Sequence, residues 1–507
     1  MERFYNNLII ALMKPISSFG PACLALFVSV SLGAAPIPND QALWRPRFAT
    51  PTIVALDTPA NRQFTAEIRA AASASSWGVI VSNDLRAWTC SVVSVTQSKI
   101  NRGTEPGWEI RASVPADIPP ELFTLVVSSS ETVSAQRQAL SIITSFTNDF
   151  YLLHITDEQI VNQYHTAPSG MWYNSVGTWE EMKWMQEPVN LINPRFVVIT
   201  GDQIDYNGAL DGWNNWANWG YKPNGKRHFT RQETLDLERR LTSMYKDCHA
   251  GYRVPFVSAP GNHDVPPANK TLVGSDPPLR WHPIAVPIYE SEFGQRSWSL
   301  RMGDFYVLMH DWSERSLRNW AEADFKQALN DPTITYRLIG QHYTNDQAIY
   351  PSSCDLMLVG HGHGTATLQS ASYYIYMDGP SFRYGMTGFF NFRRMPNGWA
   401  CDQTVKARDT AKDVWPLFTA NGAVRKVRSD QADAMNITAD SITITNDLPD
   451  NFYDGRVRFI QPQGRYSVSN GTILAHYDYE SRTRTAVLVR VNIPPNGSVT
   501  VGLVRNQ

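Results

Sequence analysis

The hydrophobic and polar positions of this chain follow three different patterns along its length. Residues 45–147 carry short runs of β-branched and aromatic residues between breaks rich in proline and glycine, as at 64–69 and 122–127. Such runs predict a small β-sandwich of the immunoglobulin or fibronectin kind. In residues 148–404, apolar runs instead alternate with helical patterns, which predicts α/β layers with parallel strand pairing.

Helical periodicity is clearest in three segments of the central region, namely 179–191, 231–248 and 316–329. After about residue 405 the β-like alternation returns, with Asn-Gly and Asp-Gly turn signals at 470–471 and 454–455. Residues 405–507 therefore predict either a β-rich C-terminal domain or an extension of the central sheet. The pattern leaves both open.

The first 35 residues have the features of an export signal. Arg3 and Lys14 provide positive charge, residues 23–32 are apolar, and residues 33–35 are small enough for cleavage. The apolar stretch is shorter than the about 20 residues that a spanning helix needs, although a retained membrane anchor is the alternative. No later stretch is long and apolar enough to span a bilayer. We therefore expect a signal peptide and a secreted or periplasmic mature chain.

Composition narrows the choice of function. A chain of 507 residues exceeds one ordinary domain, and two or three are expected. The formal net charge of −2 argues against nucleic-acid binding, which goes with a basic surplus. It leaves room for a small phosphorylated substrate, because bound metal ions would supply the positive field. Disulfides are possible in an exported chain, but the sequence does not choose a pairing among Cys90, Cys248, Cys354 and Cys401.

Five short polar clusters each follow directly on an apolar run. A single aspartate after a strand is usually a helix cap, and a single Gly-Asn-His-Asp is usually a turn. Five in a row suggest buried strands that deliver carboxylate, amide and imidazole groups to one rim, where such groups would bind a metal. Their chemistry-bearing residues are Asp157, Gln159, Asp202, Asp205, Asn262, His263, Asp264, His342, His361 and His363.

The order of these clusters resembles the calcineurin-like metallophosphoesterase family. The resemblance implies an α/β fold in which a two-sheet sandwich is flanked by helices, here between an N-terminal β-sandwich and a β-rich C-terminal region. It also implies a phosphoric ester hydrolase with two divalent metal ions. The mixed imidazole and oxygen donors suit Mn, Fe, Zn or Co better than Ca.

The same resemblance assigns roles to the residues. Asp202 would bridge the two metals, while Asp157 and His363, with Gln159 beside them, would complete the first site. The second site would be completed by Asn262, His342 and His361. A hydroxide held between the metals would attack the phosphorus.

His263 would then protonate the leaving oxygen or stabilise the transition-state charge. Asp205 would orient His263, with a helix N-cap as the equally weighted alternative. Asp264 would be a cap or a supporting group behind the ligands.

Two positions depart from relatives of this kind. The family usually has Asp-x-His at its first cluster, whereas this chain has Asp157-Glu158-Gln159, although some members carry Gln there. Gln159 would bind metal through its amide oxygen, be replaced by water, or leave the first site weak, in which case a non-catalytic binding protein is the rival function. Asp205 also stands where purple acid phosphatases place an iron-binding tyrosine, which argues against that subtype.

The substrate is less sharply indicated. The Gly-Asn-His-Asp form at 261–264 favours a phosphodiester over the monoester of 5'-nucleotidase relatives, which continue Gly-Asn-His-Glu. Trp213, Trp216 and Trp219 share one helical face and are either core or an aromatic wall over the metals. Phosphomonoester hydrolysis stays the alternative.

Overall fold

A computed structural model describes most of the chain. The described residues are 42–160, 179–204, 231–266, 282–311, 313–343, 354–361, 367–370, 375–378, 386–401, 414–417, 424–479 and 483–506. The expected signal peptide, the three tryptophans of residues 213–219, Asp205 and His363 lie outside them. Among the described helices, none is long and apolar enough to cross a membrane.

The N-terminal region forms two packed sheets. Its strands are β1 (Leu43–Arg45), β2 (Thr52–Ala55), β3 (Gln63–Ile68), β4 (Gly78–Ser82), β5 (Ala87–Thr89), β6 (Ser91–Ile100), β7 (Glu105–Ser113), β8 (Leu122–Ser128) and β9 (Val133–Ile143). One sheet has the order β1-β3-β7-β6 and the other β2-β9-β8-β4-β5. Alternate residues such as Phe64, Ile110, Phe123 and Leu125 point between the sheets and are buried there, as the period of two along a half-buried strand requires.

The central region contains all four described helices and most of the parallel pairing. Its helices are α1 (Trp179–Ile192), α2 (Arg231–His249), α3 (His282–Glu292) and α4 (Arg315–Asn330). Its strands are β10 (Phe150–Ile155), β11 (Val197–Ile199), β12 (Phe256–Ser258), β13 (Trp298–Met302), β14 (Phe305–His310), β15 (Tyr336–Gln341), β16 (Leu356–Val359), β17 (Thr367–Ser370), β18 (Ile375–Asp378), β19 (Met386–Met395), β20 (Gly398–Cys401) and β21 (Val414–Pro416).

These strands form two six-stranded sheets that face each other. The first has the order β12-β11-β10-β19-β20, with β21 paired to β19, and β10, β11 and β12 are parallel. The second has the order β13-β14-β15-β16-β18-β17, with β14, β15, β16 and β18 parallel. Phe150, Leu152 and Val198 of the first sheet share one core with Val307 and Leu338 of the second. Truncating Leu152 or Leu338 to Ala should cost about 2–5 kcal/mol.

Helices cover the outer faces of both sheets. Met182 of α1 and Leu241 of α2 pack with Leu153 on the far side of the first sheet. Phe325 of α4 packs with Ile339 on the far side of the second. All strand residues of β10 are buried, because helices and a second sheet exclude water from both faces of the first sheet. The region therefore has the α/β layering that the alternation of apolar runs and helical patterns predicts.

The C-terminal region forms two further sheets. Its strands are β22 (Val427–Ser429), β23 (Ser441–Asn446), β24 (Phe452–Pro462), β25 (Tyr466–Ser469), β26 (Thr472–Tyr479), β27 (Arg484–Ile493) and β28 (Gly497–Arg505). They are ordered β22-β23-β28-β25 and β24-β27-β26. Phe459 and Val487 join the core beneath α1, while Ile460 and Tyr477 join the core of the N-terminal region. The C-terminal strands thus pack against both other regions.

Two observations refine the predictions made from the sequence. Strand β21 lies beyond the expected domain limit at 404, yet it pairs with β19 of the central sheet. All four cysteines that follow the expected signal are buried and unbridged, so none forms the disulfide that an oxidising compartment would allow.

Candidate metal centre

The polar clusters meet because parallel strands present their carboxyl ends at one edge. Strands β10, β11 and β12 lie side by side in the first sheet, and the loops after them carry Asp157, Asp202 and Asn262. Strands β15 and β16 are neighbours in the second sheet and lead into His342 and His361. Both groups face the same edge of the sandwich, which is where open α/β sheets bind ligands.

Asp202 is the hub of this edge. Its side chain is fully buried, and its Oδ2 lies 3.2 Å from His342 Nε2 and accepts a hydrogen bond of 3.1 Å from Gln159 Nε2. Its Oδ1 accepts a hydrogen bond of 2.9 Å from the backbone N–H of His263. Groups from the first, third and fourth clusters thus converge on one carboxylate, as a ligand shared by two metals would require.

His342 is held in one orientation. Its Nδ1 lies 2.7 Å from the carbonyl oxygen of Thr200, which accepts a hydrogen bond from the Nδ1–H group. The other ring nitrogen, Nε2, then faces Asp202. A histidine that donates one ring nitrogen to a backbone carbonyl and presents the other is typical of metal ligands. Its Nε2 is also 3.1 Å from Asn262 Oδ1, and that oxygen accepts a hydrogen bond of 2.6 Å from the Tyr343 hydroxyl.

His361 and Asp157 complete the described part of the cluster. The backbone N–H of His361 donates to Asp157 Oδ2 at 3.1 Å, and the His361 ring packs on Tyr343 with centroids 4.1 Å apart. Potential ligand atoms of Asp202, His342 and His361 all lie within 4.8 Å of one another. One cation at that position would contact three side chains from three strand ends.

Several of these residues have a strained backbone conformation. Asp157, Gln159, Asp202 and His361 have φ values of 56°, 45°, 55° and 73°, in the left-handed region that L-residues avoid. Each costs of order 1–3 kcal/mol and persists only where the surroundings enforce it. Backbone hydrogen bonds from Asp157 to Gly201 and from Gln159 to Asp202 lock the first loop onto the second. Strain of this kind is characteristic of pre-organised functional sites.

Glycines allow the loops to approach closely. A Cβ on Gly201, whose φ is 95°, would lie 2.5 Å from the nitrogen of Gly261 and 2.9 Å from His342 Nδ1. One on Gly360 would lie 2.8 Å from the Thr200 oxygen. Neither position has room for a side chain, so these glycines set the distances between the ligand-bearing loops.

Asp264 ties the second and third clusters together from behind. Its buried carboxylate accepts backbone hydrogen bonds from Gln203 at 2.9 Å, Ile204 at 3.0 Å and Gly261 at 2.8 Å. Burial, with the nearby charge of Asp202, raises the pKa of Asp264 to about 7 despite these bonds. Of its two expected roles, the structure shows a supporting group that fixes the loops around Asp202.

The electrostatics of the edge favour a cation. Burial alone would lower the pKa of His342, but the charge of Asp202 and its hydrogen bond raise that pKa to about 9. Burial would conversely raise the pKa of Asp202, and the positive charge of His342 and His263 holds it well below its usual range. Without metal, a proton on His342 offsets the buried negative charge of the site. With metal bound, the metal ions would offset that charge in its place. The imidazole, carboxylate and amide donors fit borderline divalent ions.

His263 differs from the other residues of the cluster. Its backbone is anchored on Asp202, but its imidazole is 22% exposed and its Nε2 lies 3.8 Å from Asp202 Oδ2. This places a titratable ring at the mouth of the site. Asp205, expected to orient that ring, and His363, expected as a ligand, lie outside the described residues.

Sequence reasoning missed three contributors. Tyr343, which binds Asn262, lies directly after an expected ligand, so its position was the only signal. The Thr200 carbonyl and Gly360 act through backbone geometry, which residue identity does not show. His154, which lies within β10, is buried in the core, and its Nε2 lies 2.9 Å from Thr200 Oγ1.

Comparison with known proteins gives weak likenesses. No protein-family model and no curated protein matches the chain. Among solved structures, it is similar to a purple acid phosphatase from yellow lupin (Lupinus luteus) seeds, at 11% identity and a TM-score of 0.34, over 62% of this chain and 61% of that one. A PhoD structure is similar at 12% identity and a TM-score of 0.36, over 82% and 88%. A 5'-nucleotidase from Candida albicans is similar at 12% and 0.28, over 49% and 48%.

Proposed function

We propose that the chain is a metal-dependent phosphoesterase that uses two divalent ions. The observation that carries this proposal is the convergence of strand-end donors on the buried carboxylate of Asp202. A carboxylate contacted by Gln159, His263 and His342 is the arrangement that a pair of cations sharing one ligand needs. Burying several polar groups at one place is costly unless they are hydrogen-bonded or hold a charge.

The residues of the cluster divide between two metal positions. Asp157, Gln159, Asp202 and His363 would hold the first, and Asp202, Asn262, His342 and His361 the second. When bound, such a pair supplies a Lewis acid for the phosphoryl oxygens and lowers the pKa of water at the site. The protein's own contribution is to fix the donors, through the Thr200 carbonyl and the Asp264 carboxylate.

His263 is the residue proposed to handle a proton. A leaving oxygen needs a proton or a positive charge beside it, and an imidazole at the mouth of the site supplies either. The backbone hydrogen bond to Asp202 keeps the ring next to the metal positions while its side chain stays accessible. In this proposal Asp205 orients the ring.

Gln159 decides between this function and a second one. Its amide donates through Nε2 to Asp202 Oδ2, so the amide nitrogen and not the oxygen faces that carboxylate. Rotating the amide by half a turn would present the oxygen, and a cation between the two groups would favour that rotation. If the amide keeps its present orientation with metal bound, the first site is weak and a non-catalytic binding protein is the better description.

The substrate and location belong to the same proposal. We favour a small phosphodiester over a monoester because of the Gly-Asn-His-Asp sequence at 261–264. We also favour export, because of the charged, apolar and small segments in the first 35 residues.

Hydrolysis by the reconstituted protein tests the function. The full chain would be stripped of metal, reloaded with Mn, Fe, Zn or Co, and assayed on bis(p-nitrophenyl) phosphate and p-nitrophenyl phosphate. We expect turnover of the diester that exceeds that of the monoester and disappears in Asp202→Asn. Asp247→Asn, an exposed carboxylate on α2, is the matched control and should keep full activity.

The two candidate functions give different results. A protein that loads metal yet hydrolyses neither ester would support the binding protein. Gln159→His would then be expected to raise metal affinity, since imidazole binds these ions more strongly than a neutral amide does. A protein that neither loads metal nor hydrolyses would refute both.

A further inference from the structure

A polar cavity lies at the edge of the first sheet opposite the metal centre. Its volume is about 270 Å³, just below the roughly 300–1,000 Å³ of small-molecule sites. Its walls include the residues that precede β10, β11 and β12, at 148–149, 193–195 and 253–255. The N-terminal region contributes residues 141–144, and the C-terminal region contributes Arg456 and Arg490. All three regions of the chain therefore meet around this space.

The lining is rich in arginine. Four arginines face three carboxylates, and two of those carboxylates are already engaged: Glu121 with Arg458 at 2.9 Å and Asp454 with Arg456 at 3.2 Å. The lining arginines are Arg195, Arg253, Arg456 and Arg490. Arg253 is itself paired with Asp84 at 3.0 Å, so the lining arginines that make no ion pair within the described residues are Arg195 and Arg490.

Arg195 is held only weakly by its neighbours. Within the described parts of the chain, no carboxylate oxygen lies within ion-pair distance of its guanidinium. Its hydrogen bonds are two long ones, to the carbonyl oxygens of Ser145 at 3.4 Å and Asn148 at 3.3 Å, and it stacks on Phe150 at 4.2 Å. Burial lowers the pKa of Arg195 to about 10. The charges of Asp454 and Asp149 offset part of this cost, and an anion in contact with the guanidinium would offset more of it.

Arg456 and Arg490 add a second unusual feature. They stand directly opposite each other on the paired strands β24 and β27. Like charges in that position repel each other, and Asp454 beside Arg456 offsets only one of the two charges. Arg456 is also buried, and its Nε finds no hydrogen-bond partner among the described residues. An anion between the two guanidinium groups would remove the repulsion and supply the missing acceptor.

We propose that this cavity binds phosphate, free or carried by a small molecule, between Arg195, Arg456 and Arg490. Guanidinium forks match the geometry of phosphate oxygens, and a dianion balances more than one of them. Asn148, Asn193 and Tyr453 line the same space and provide polar contacts for an attached group. The site is separate from the metal centre and does not depend on hydrolysis there.

Calorimetric titration of the full chain with inorganic phosphate tests the proposal. Phosphate could also bind at the metal centre, so each titration is run on wild type and on Asp202→Asn stripped of metal. Titration with chloride at the same ionic strength is the control for non-specific anion binding. We expect saturable binding that persists in Asp202→Asn and weakens at least tenfold in Arg490→Gln and Arg195→Gln. Arg484→Gln is the matched control, an exposed arginine on the same strand β27 outside the cavity, and should bind as wild type does.

Every outcome of these titrations either supports or refutes phosphate binding in the cavity. Arg490 is exposed, so its variant should fold even where that of Arg195 does not. Glucose 6-phosphate binding more tightly than phosphate would identify a carried group, and the reverse order would identify the free ion. The proposal fails if no phosphate binds to Asp202→Asn, if Arg490→Gln and Arg484→Gln bind alike, or if citrate binds where phosphate does not. A failure of hydrolysis leaves all of these outcomes unchanged.

Discussion

The link that Asp264 makes behind the metal centre gives a sharp quantitative prediction. Its carboxylate holds three buried backbone N–H groups, those of Gln203, Ile204 and Gly261. Asp264→Ala removes every acceptor, and each buried N–H left without a partner costs about 1–3 kcal/mol. The total loss is roughly 3–9 kcal/mol, with the lower end expected where water enters the space.

Asp264→Asn separates the three bonds. Oδ1 accepts from Gln203 and Ile204, so an amide oxygen placed there keeps both. The amide nitrogen would then face the N–H of Gly261, two donors in contact, and one bond is lost. We expect a cost of about 1–3 kcal/mol, well below that of the alanine variant.

Hydrogen exchange is the assay that reads these bonds directly. Peptides that contain residues 203, 204 and 261 should exchange faster in Asp264→Ala at all three amides and in Asp264→Asn only at 261. Metal affinity should fall in the same order, because the loops that carry Asp202 and Asn262 lose their tie. Exchange and metal affinity in Asp264→Ala equal to those of Asp247→Asn would refute the role given to Asp264.

Three further predictions concern single residues around the site. Gly201→Ala should lose metal binding and stability, since its Cβ would lie 2.5 Å from the nitrogen of Gly261. Gly103 has a similar positive φ but open space around it, so Gly103→Ala should lower the free energy of unfolding by about 1 kcal/mol or less. Equal losses of stability in thermal unfolding of the two variants would show that crowding is not the cause. His263→Ala should lower kcat by about 10²–10⁴ while metal content stays that of wild type; near-normal turnover would contradict its assignment. Burial lowers the pKa of His154 to about 3, so between about pH 6.5 and pH 3 the unfolded chain binds a proton that the folded chain does not, and stability is lost as the pH falls through this range. In His154→Gln the decrease in unfolding free energy between pH 7 and pH 5 should be smaller by about 2 kcal/mol. An unchanged decrease would assign the acid sensitivity to other groups.

The strand ends were predictable because burial and chemistry both leave marks in sequence. A run such as Phe196–Ile199 is apolar throughout since both faces of its sheet are covered, and the polar residues after it stand out. Helices at 179–191, 231–248 and 316–329 were predictable from periodicity, and the structure has α1, α2 and α4 there.

The rest depends on contacts between residues far apart in the chain. Nothing near Asp264 indicates that its carboxylate accepts from Gln203, about sixty residues earlier. The opposition of Arg456 and Arg490 depends on the register of β24 against β27, which the turn signals alone do not set. The same holds for Gln159, whose identity was visible as a departure but whose bond to Asp202 was not.

Metal stoichiometry tests the central claim most directly. After reconstitution and removal of free ions, the wild-type chain should retain about two divalent ions by plasma mass spectrometry, as a dinuclear hydrolytic site requires. Asp202→Asn should retain fewer, because the shared ligand is weakened, and Asp247→Asn should match wild type. A wild-type chain that retains no metal, or an Asp202→Asn chain that retains as much as wild type, would contradict the account.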